Sequence, residues 1–167
     1  MTRTRSSGYL LASLAVGGML LSVPAIGQVQ YNQSVSNNLA KCDSGDGPAV
    51  RVQVQGVKSS SGKIRVQSYR GVKEDWLETG RWLNRIEVSA RAGTMSFCMP
   101  FASAGTYAIA VRHDVNGNGK TDLTSDGGGM SNNPSINIFN LGKPSYTKTR
   151  FEVGNGVSSI TIRMRYM

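Results

Sequence analysis

Histidine is almost absent from this sequence: His113 is the only one. Cysteine occurs twice, as Cys42 and Cys98, and 10 acidic residues stand against 19 lysines and arginines. Each scarcity removes a class of chemistry. Two widely spaced cysteines and one histidine do not make an ordinary closed zinc shell, which takes four such ligands. No serine in a nucleophile-elbow context accompanies the histidine. His113 and Asp114 are neighbours at the end of a strand-like run, so their side chains point to opposite faces and make poor general-base partners. These absences argue against an enzyme and leave His113 a structural, loop-bracing role. After Leu21 no stretch is apolar enough for a membrane helix. There is no internal repeat and no sign of a second domain.

What is present begins with a three-part targeting pattern. Arg3 and Arg5 form a basic start, Tyr9 to Leu21 is an apolar run, and Ala25 and Gly27 are the small residues a signal peptidase reads. Residues 1–27 are therefore expected to be a signal peptide, which makes the protein exported, periplasmic or fully secreted. No cysteine follows the apolar run, so a lipid-modified N-terminus is not expected. Removing 1–27 leaves 140 residues, enough for one core. Two of the 19 basic residues and none of the 10 acidic ones leave with it, so the remainder carries +7. Such a charge either favours anionic partners, such as lipid headgroups or an acidic envelope polymer, or simply keeps the chain soluble. Another exported protein is a further candidate partner. In an oxidising compartment Cys42 and Cys98 are expected to bond, worth about 4 kcal/mol in the chain-entropy account.

Residues 28–47 are rich in Gln, Asn, Ser and Gly and read as an irregular strap that Cys42 ties to the body. From there on the period is two. Val50, Val52 and Val54 alternate with polar residues, as do Ile64 with Val66, Ile86 with Val88, and Met95, Phe97 and Met99. Residues 70–84, with Trp76 and Trp82, are less regular and suit a short helical turn or a loop packed by its two tryptophans. Gly105 to Val111 is the clearest strand. Its large residues face one way and Ala108 and Ala110 the other, so it is expected to be central and covered on both faces. Phe151 with Val153 and Ile160 to Tyr166 supply the last strands, with Asn155-Gly156 as a hairpin turn between them. About seven short strands with few helical signals predict an all-β fold, an antiparallel β-sandwich over residues 48–167.

One loop is chemically suggestive. With Asp114 as position 1, Asn116 is 3, Asn118 is 5, Gly119 is 6, the Lys120 carbonyl is 7 and Asp122 is 9. Those are the first nine places of a calcium loop of the EF-hand kind, in which alternate oxygens converge on one hard cation and Gly119 permits the turn. Position 12 is Ser125 rather than a bidentate Glu, and Asp126 lies one place later as a substitute. With so few formal charges, such a site would bind weakly, on the order of 10⁻⁴–10⁻³ M. The alternative is a metal-free turn in which the Asn and Asp side chains bond the loop backbone. Gly127-Gly-Gly129 follows, either as a flexible connection or as an anion cradle. Arg51, Lys63, Arg65, Lys148, Arg150, Arg163 and Arg165 fall on the polar parity of their strands. In one sheet they would form a basic stripe, which would bind polyanions or merely discourage edge pairing. No aromatics interleave with them, which argues against nucleic acid.

Three segments carry a family resemblance. Gly105-Thr-Tyr-Ala-Ile-Ala-Val, His113-Asp-Val-Asn-Gly-Asn-Gly-Lys-Thr-Asp122 and Asp126-Gly-Gly-Gly-Met-Ser-Asn-Asn133 resemble the bacterial family catalogued as domain of unknown function 2141. Val50 to Gly56 and Lys143-Pro-Ser-Tyr146 with Phe151 are similar to its opening and closing regions, so the resemblance covers about residues 48–166. It implies an exported bacterial protein with an immunoglobulin- or transthyretin-like sandwich, and it brings no catalytic residues. Hydroxyisourate hydrolase, a transthyretin-like relative by fold class, relies on several histidines and a C-terminal Tyr-Arg-Gly-Ser. This chain has one histidine and ends Arg-Tyr-Met, which disfavours that activity.

Overall fold

The structure, a computed structural model, describes residues 28–136 and 142–166. The signal peptide expected at 1–27 lies outside the described residues. The strands are β1 (Gln33–Ser34), β2 (Ala49–Val57), β3 (Lys63–Arg70), β4 (Asn84–Ser89), β5 (Gly93–Pro100), β6 (Gly105–Asp114), β7 (Gly127–Met130), β8 (Phe151–Val153), β9 (Val157–Arg163) and β10 (Arg165–Tyr166). Two short helices join them, α1 (Ala40–Asp43) and α2 (Tyr146–Thr149). One sheet runs β1-β4-β3-β6-β7-β10, with β8 also paired to β6; the other runs β5-β2-β9. The expected all-β sandwich is therefore borne out. The seven strands legible in the sequence correspond to β2–β6, β8 and β9, and the structure adds β1, β7 and β10.

Period-two patterning explains the core. Val50, Val52 and Val54 of β2 lie opposite Met99, Phe97 and Met95 of β5, and all six are buried in the cluster between the sheets. Ile64, Val66, Ile86, Ile109 and Val111 fill it from the larger sheet. A slip of one residue would turn each of these sets to solvent. Strand β6 is covered on both faces, as expected. Tyr107, Ile109 and Val111 face the inter-sheet core. Ala108 faces a second cluster with Tyr69, Trp76, Trp82 and Met130, so the 70–84 segment is indeed a loop packed by its tryptophans.

Two connections differ from expectation. Asn155-Gly156 is not a hairpin turn: β8 pairs with β6 in the larger sheet, whereas β9 pairs with β2 in the smaller one. The turn carries the chain between sheets, so β9 arrives alongside β2 in parallel. The β1–β4 pairing is parallel too; the other strand pairings are antiparallel. The run from Ile160 to Tyr166 is also not one strand. It leaves the smaller sheet after Arg163, Met164 N–H bonds Gln55 O at 2.8 Å, and β10 joins β7 in the larger sheet. Strands that switch sheets make the corners of a sandwich.

Two asparagines cap the edges of the smaller sheet. Asn37 donates to Ser96 O at 3.0 Å and accepts from Cys98 N–H at 3.0 Å on β5. Asn133 donates to Thr161 O at 2.8 Å and accepts from Arg163 N–H at 2.7 Å on β9. Each side-chain amide takes the donor and acceptor that another strand would otherwise use, which blunts the edge against pairing with other chains.

Besides the β1–β4 pairing and the Asn37 bonds, the strap is held by a disulfide and by a buried carboxylate. Cys42 and Cys98 form a disulfide, with Cα atoms 5.8 Å apart. Tyr31 Oη donates to the fully buried Asp75 at 2.8 Å, and Arg70 and Arg81 close on the same carboxylate at 2.5 and 3.0 Å. Burial alone would raise the Asp75 pKa. The hydrogen bonds from Arg70 and Tyr31 and the charges of both arginines outweigh it and hold the carboxyl below its ordinary value. A carboxyl held low in the fold stabilises it above the unfolded carboxylate value and loses that contribution as pH falls through the folded value. Asp75→Asn is expected to cost about 2 kcal/mol at neutral pH through weakened charge-assisted bonds. It should also flatten the loss of stability below about pH 4. Urea denaturation at a series of pH values reads both; an unchanged acid limb would contradict the assignment.

Candidate functional site

Strand β6 ends at Asp114, and the next twelve residues fold back on its carboxylate. Asp114 Oδ2 accepts Gly119 N–H at 2.8 Å and lies 3.4 Å from the Arg112 guanidinium. Asp114 is buried, and its Oδ1 has no hydrogen-bond partner. Asn116 and Asn118 each accept the N–H two residues on, at 3.0 and 2.7 Å. Both their amide groups donate to Asp122 Oδ2 at 2.8 Å. Those two bonds hold the exposed Asp122 carboxyl below its usual value. Gly117 and Gly119 take φ of 70° and 78°, the left-handed region where glycine is favoured. Asp126 clasps the loop ends: its two oxygens accept Val115 N–H at 3.1 Å and Asp122 N–H at 3.0 Å.

Of the six expected ligands, Asn116, Asn118 and Asp122 thus form one hydrogen-bonded group, Asp114 and Asp126 accept loop N–H groups, and Lys120 joins through its N–H to Asn118. Asp126, the substitute for a twelfth-place ligand, has both oxygens engaged by backbone. Among the described residues no group of three or more His, Cys, Asp or Glu side chains converges as a metal cluster. A cation here would rest on Asp114, Asp122, amide oxygens and the Lys120 carbonyl.

His113 is fully buried and bonded at both ring nitrogens. Nε2 lies 2.8 Å from Ser61 O, and Nδ1 lies 2.8 Å from Tyr166 Oη. A carbonyl only accepts, so Nε2 carries the hydrogen and Nδ1 accepts from the tyrosine. The ring therefore ties β6 to the β2–β3 turn and to β10. Tyr107 lies six places earlier on the same strand, about 20 Å away, so the two rings do not meet in one site.

The seven basic residues do not share one sheet. Arg51 of β2 and Arg163 of β9 belong to the smaller sheet, and Lys63 and Arg65 of β3 and Arg165 of β10 to the larger. Lys148 lies in α2 and Arg150 follows it, so neither is on a strand. Arg51 pairs with Asp43, and Lys63 and Arg65 pair with Glu87. The single basic stripe expected from parity is corrected to separate groups, because β9 and β10 divide one alternating run between the sheets.

Gly127-Gly-Gly129, expected to be a flexible connection or a cradle, is strand β7, antiparallel to β6. The glycines are a packing requirement at two places. A Cβ on Gly127 would run into the Tyr166 ring, and one on Gly129 would sit 2.7 Å from Ile162 Cγ2 and 3.0 Å from Arg163 O. At Gly128 a Cβ would meet nothing within 4 Å. Gly128 faces a cavity of about 350 Å³ on the outer side of the larger sheet, between the 114–126 loop and the segment around Leu77 and Lys143. Tyr69, at the cavity's base, has its phenol pushed up to about 12 by burial, against the opposing charges of Arg85 and Arg65.

The motif that ends in Asn133 is likewise structural. Ser131 Oγ accepts Ile109 N–H at 3.0 Å and donates to Thr149 O at 2.6 Å. Asn132 donates to Arg150 O at 2.9 Å. Asn132 and Asn133 both take positive φ, which asparagine tolerates better than most residues. Composition marks this stretch as a loop, and only the pairing of its side chains reveals its work.

Fold and loop together define a class: a two-sheet all-β sandwich with an Asp/Asn/Gly loop on its central strand. The chain belongs to an uncharacterised protein family conserved in bacteria, domain of unknown function 2141, which matches residues 52–161. No curated protein and no solved structure matches it.

The contrast between neighbouring glycines is directly testable. Gly127→Ala is expected to destabilise by about 1–3 kcal/mol through overpacking against Tyr166. Gly128→Ala should stay within about 0.5 kcal/mol of the parent. Equal losses in chemical denaturation would contradict the packing described for β7.

Proposed function

We propose that the protein is an exported, non-catalytic β-sandwich that serves as a binding or structural module, and that its Asp114–Asp126 loop takes one calcium ion weakly. The observation that carries the calcium reading is the Asp114 carboxylate. It occupies position 1 of the loop, is buried, and has one oxygen without a partner. A buried carboxylate oxygen left unpaired is costly, and a hard cation is the ligand that offsets that cost with oxygen neighbours. Asn116, Asn118 and Asp122 are placed by the same short loop, and their amides now turn their N–H groups on Asp122 as a cation would turn its charge. Turning the amide oxygens to a cation releases the Asn118 and Lys120 N–H groups that they accept here.

The non-catalytic part rests on how the buried titratable groups are used. His113 has both ring nitrogens bonded. Asp75 is closed in by two arginines and a tyrosine. The Tyr69 phenol stays neutral at any physiological pH. Each of these bonds ties elements together, which supports a structural use of His113 and Asp75.

Calcium at about ten times its dissociation constant stabilises the folded state by about 1.4 kcal/mol. For a domain of this size that raises Tm by about 3–5 °C. Thermal melts in calcium, in magnesium and in chelator are expected to show that rise with calcium, and Asp114→Ala should abolish the difference whatever its own Tm. No calcium-dependent shift in the parent at millimolar concentration would remove the metal from the account and leave the fold intact.

A further inference from the structure

Register places three arginines on one outward-facing rung of the larger sheet. Arg65 lies opposite Arg112, Arg112 opposite Gly128, and Gly128 opposite Arg165. Directly opposed residues point to the same side, and like charges so placed are unfavourable. Arg65 is offset by Glu87 at 2.6 Å. Arg112 is turned to the loop: its Nη1 donates to Thr121 Oγ1 and its Nη2 to Gly119 O, each at 3.0 Å, Asp114 lies at 3.4 Å, and its Nε is buried without a partner. Among the described residues no carboxylate forms an ion pair with Arg165. With strands about 4.8 Å apart, Arg112 and Arg165 stand about 10 Å from one another at the backbone, across Gly128.

The rung beside it shows what such an arrangement does when filled. His113 lies opposite Gly127, and Gly127 opposite Tyr166. Gly127 has no side chain, so the Tyr166 ring crosses that space and bonds His113 at 2.8 Å. Gly128 repeats the pattern on the outer face, but no atom of the described residues lies within 4 Å of where its Cβ would be. Nor does Gly128 take a positive φ. A glycine inside a strand weakens it, and neither packing nor backbone angle requires this one. Close approach of a ligand to the backbone is the remaining physical reason for a strand glycine.

The cavity over Gly128 has two characters. Arg112, Arg165 and Lys143 line it with positive charge. Ala110, Met130, Leu77 and Ile136 give an apolar floor and wall. Leu123, on the loop rim, is 49 % exposed and is one of two large apolar side chains so exposed among the described residues. Asp122 and Asp126 also line it. The oxygens of Asp126 are engaged by backbone N–H groups, and Asp122 repels an anion, so a negative group is directed toward Arg165 and away from the loop.

We propose that this groove binds a single-chain amphiphile with an anionic head, a carboxylate or a phosphate monoester. The head sits over Gly128 against Arg165, whose guanidinium offers strong and directional charge-assisted hydrogen bonds, while Arg112, held to the loop, adds its positive charge. The chain lies along Ala110 and Met130 toward Leu77 and Ile136. A cavity of about 350 Å³ accommodates one short chain and falls at the small end of ligand sites. The proposal rests on the binding-module reading and does not depend on calcium.

Calorimetric titration of the purified protein with decanoate and with decyl phosphate, both below their micelle concentrations, tests it. Saturable one-to-one binding is expected for both. Inorganic phosphate and decanol, which each offer half of the ligand, should bind at least about tenfold more weakly. Gly128→Val fills the groove without a folding penalty, since valine suits a strand; it should abolish binding while Tm is kept or raised. Arg165→Gln should weaken both anions about tenfold and leave decanol unchanged. Absence of saturable binding by either anion, or binding that survives Gly128→Val, would overturn the proposal. So would binding only to phosphatidylglycerol vesicles and not to the monomers, which would make the basic groups a membrane-facing surface instead. Release of free phosphate from decyl phosphate, read by phosphorus NMR, would leave the groove as the site and overturn the non-catalytic reading.

Discussion

Strand β6 carries large apolar side chains on one face and alanines on the other, and both faces are covered. Tyr107, Ile109 and Val111 require a second sheet, which β5-β2-β9 provides. Ala108 and Ala110 require a thinner cover, which Tyr69, Trp76, Trp82 and Met130 provide. The sandwich and the outer aromatic layer are thus two answers to one constraint, the exclusion of water from both sides of a single strand. The candidate sites follow from it. The 114–126 loop is the continuation of β6, and the groove is the part of its outer face that the aromatic layer leaves uncovered.

Closing the sandwich beside β6 falls to the C-terminal run and to the glycines beneath it. Residues 157–166 begin in the smaller sheet and end in the larger one. Such a crossing brings Ile162, Met164 and Tyr166 down onto β7, and only a strand without side chains accepts them there. His113 then receives the Tyr166 hydroxyl and fixes the end of the chain to the centre of the sheet. The sole histidine of the sequence is used as a two-way hydrogen-bonding bracket, in keeping with a buried position on the core-facing parity of β6.

Most of the fold was legible as period two, because strands with one buried face must alternate. The disulfide was legible from two cysteines together with the oxidising compartment that the N-terminal targeting pattern implies. What escaped has a common cause: residues whose role depends on a distant partner carry no local pattern. Strand β7 reads as a linker because Tyr166 and Ile162 supply the side chains that its glycines lack. The Asn155-Gly156 turn has hairpin composition, yet its flanking strands pair with β6 and β2. Asn37 and Asn133 look like loop residues and act as one-residue edge strands. The basic stripe failed because one alternating run was divided between two sheets, so parity alone did not place Arg163 and Arg165 together. In the loop, spacing indicated which side chains would gather, but not that Asp126 would be taken up by backbone N–H groups.

The central claim is that β6 is shared by both cores and that neither stands without it. Native-state hydrogen exchange resolves this residue by residue. The amides of Ala108 to Val111 are predicted to exchange only through global unfolding, at the same free energy as Val52 and Val54 of β2. If the β6 amides instead exchange through a cheaper opening that leaves β2 protected, the two cores are independent and this account of the fold is wrong.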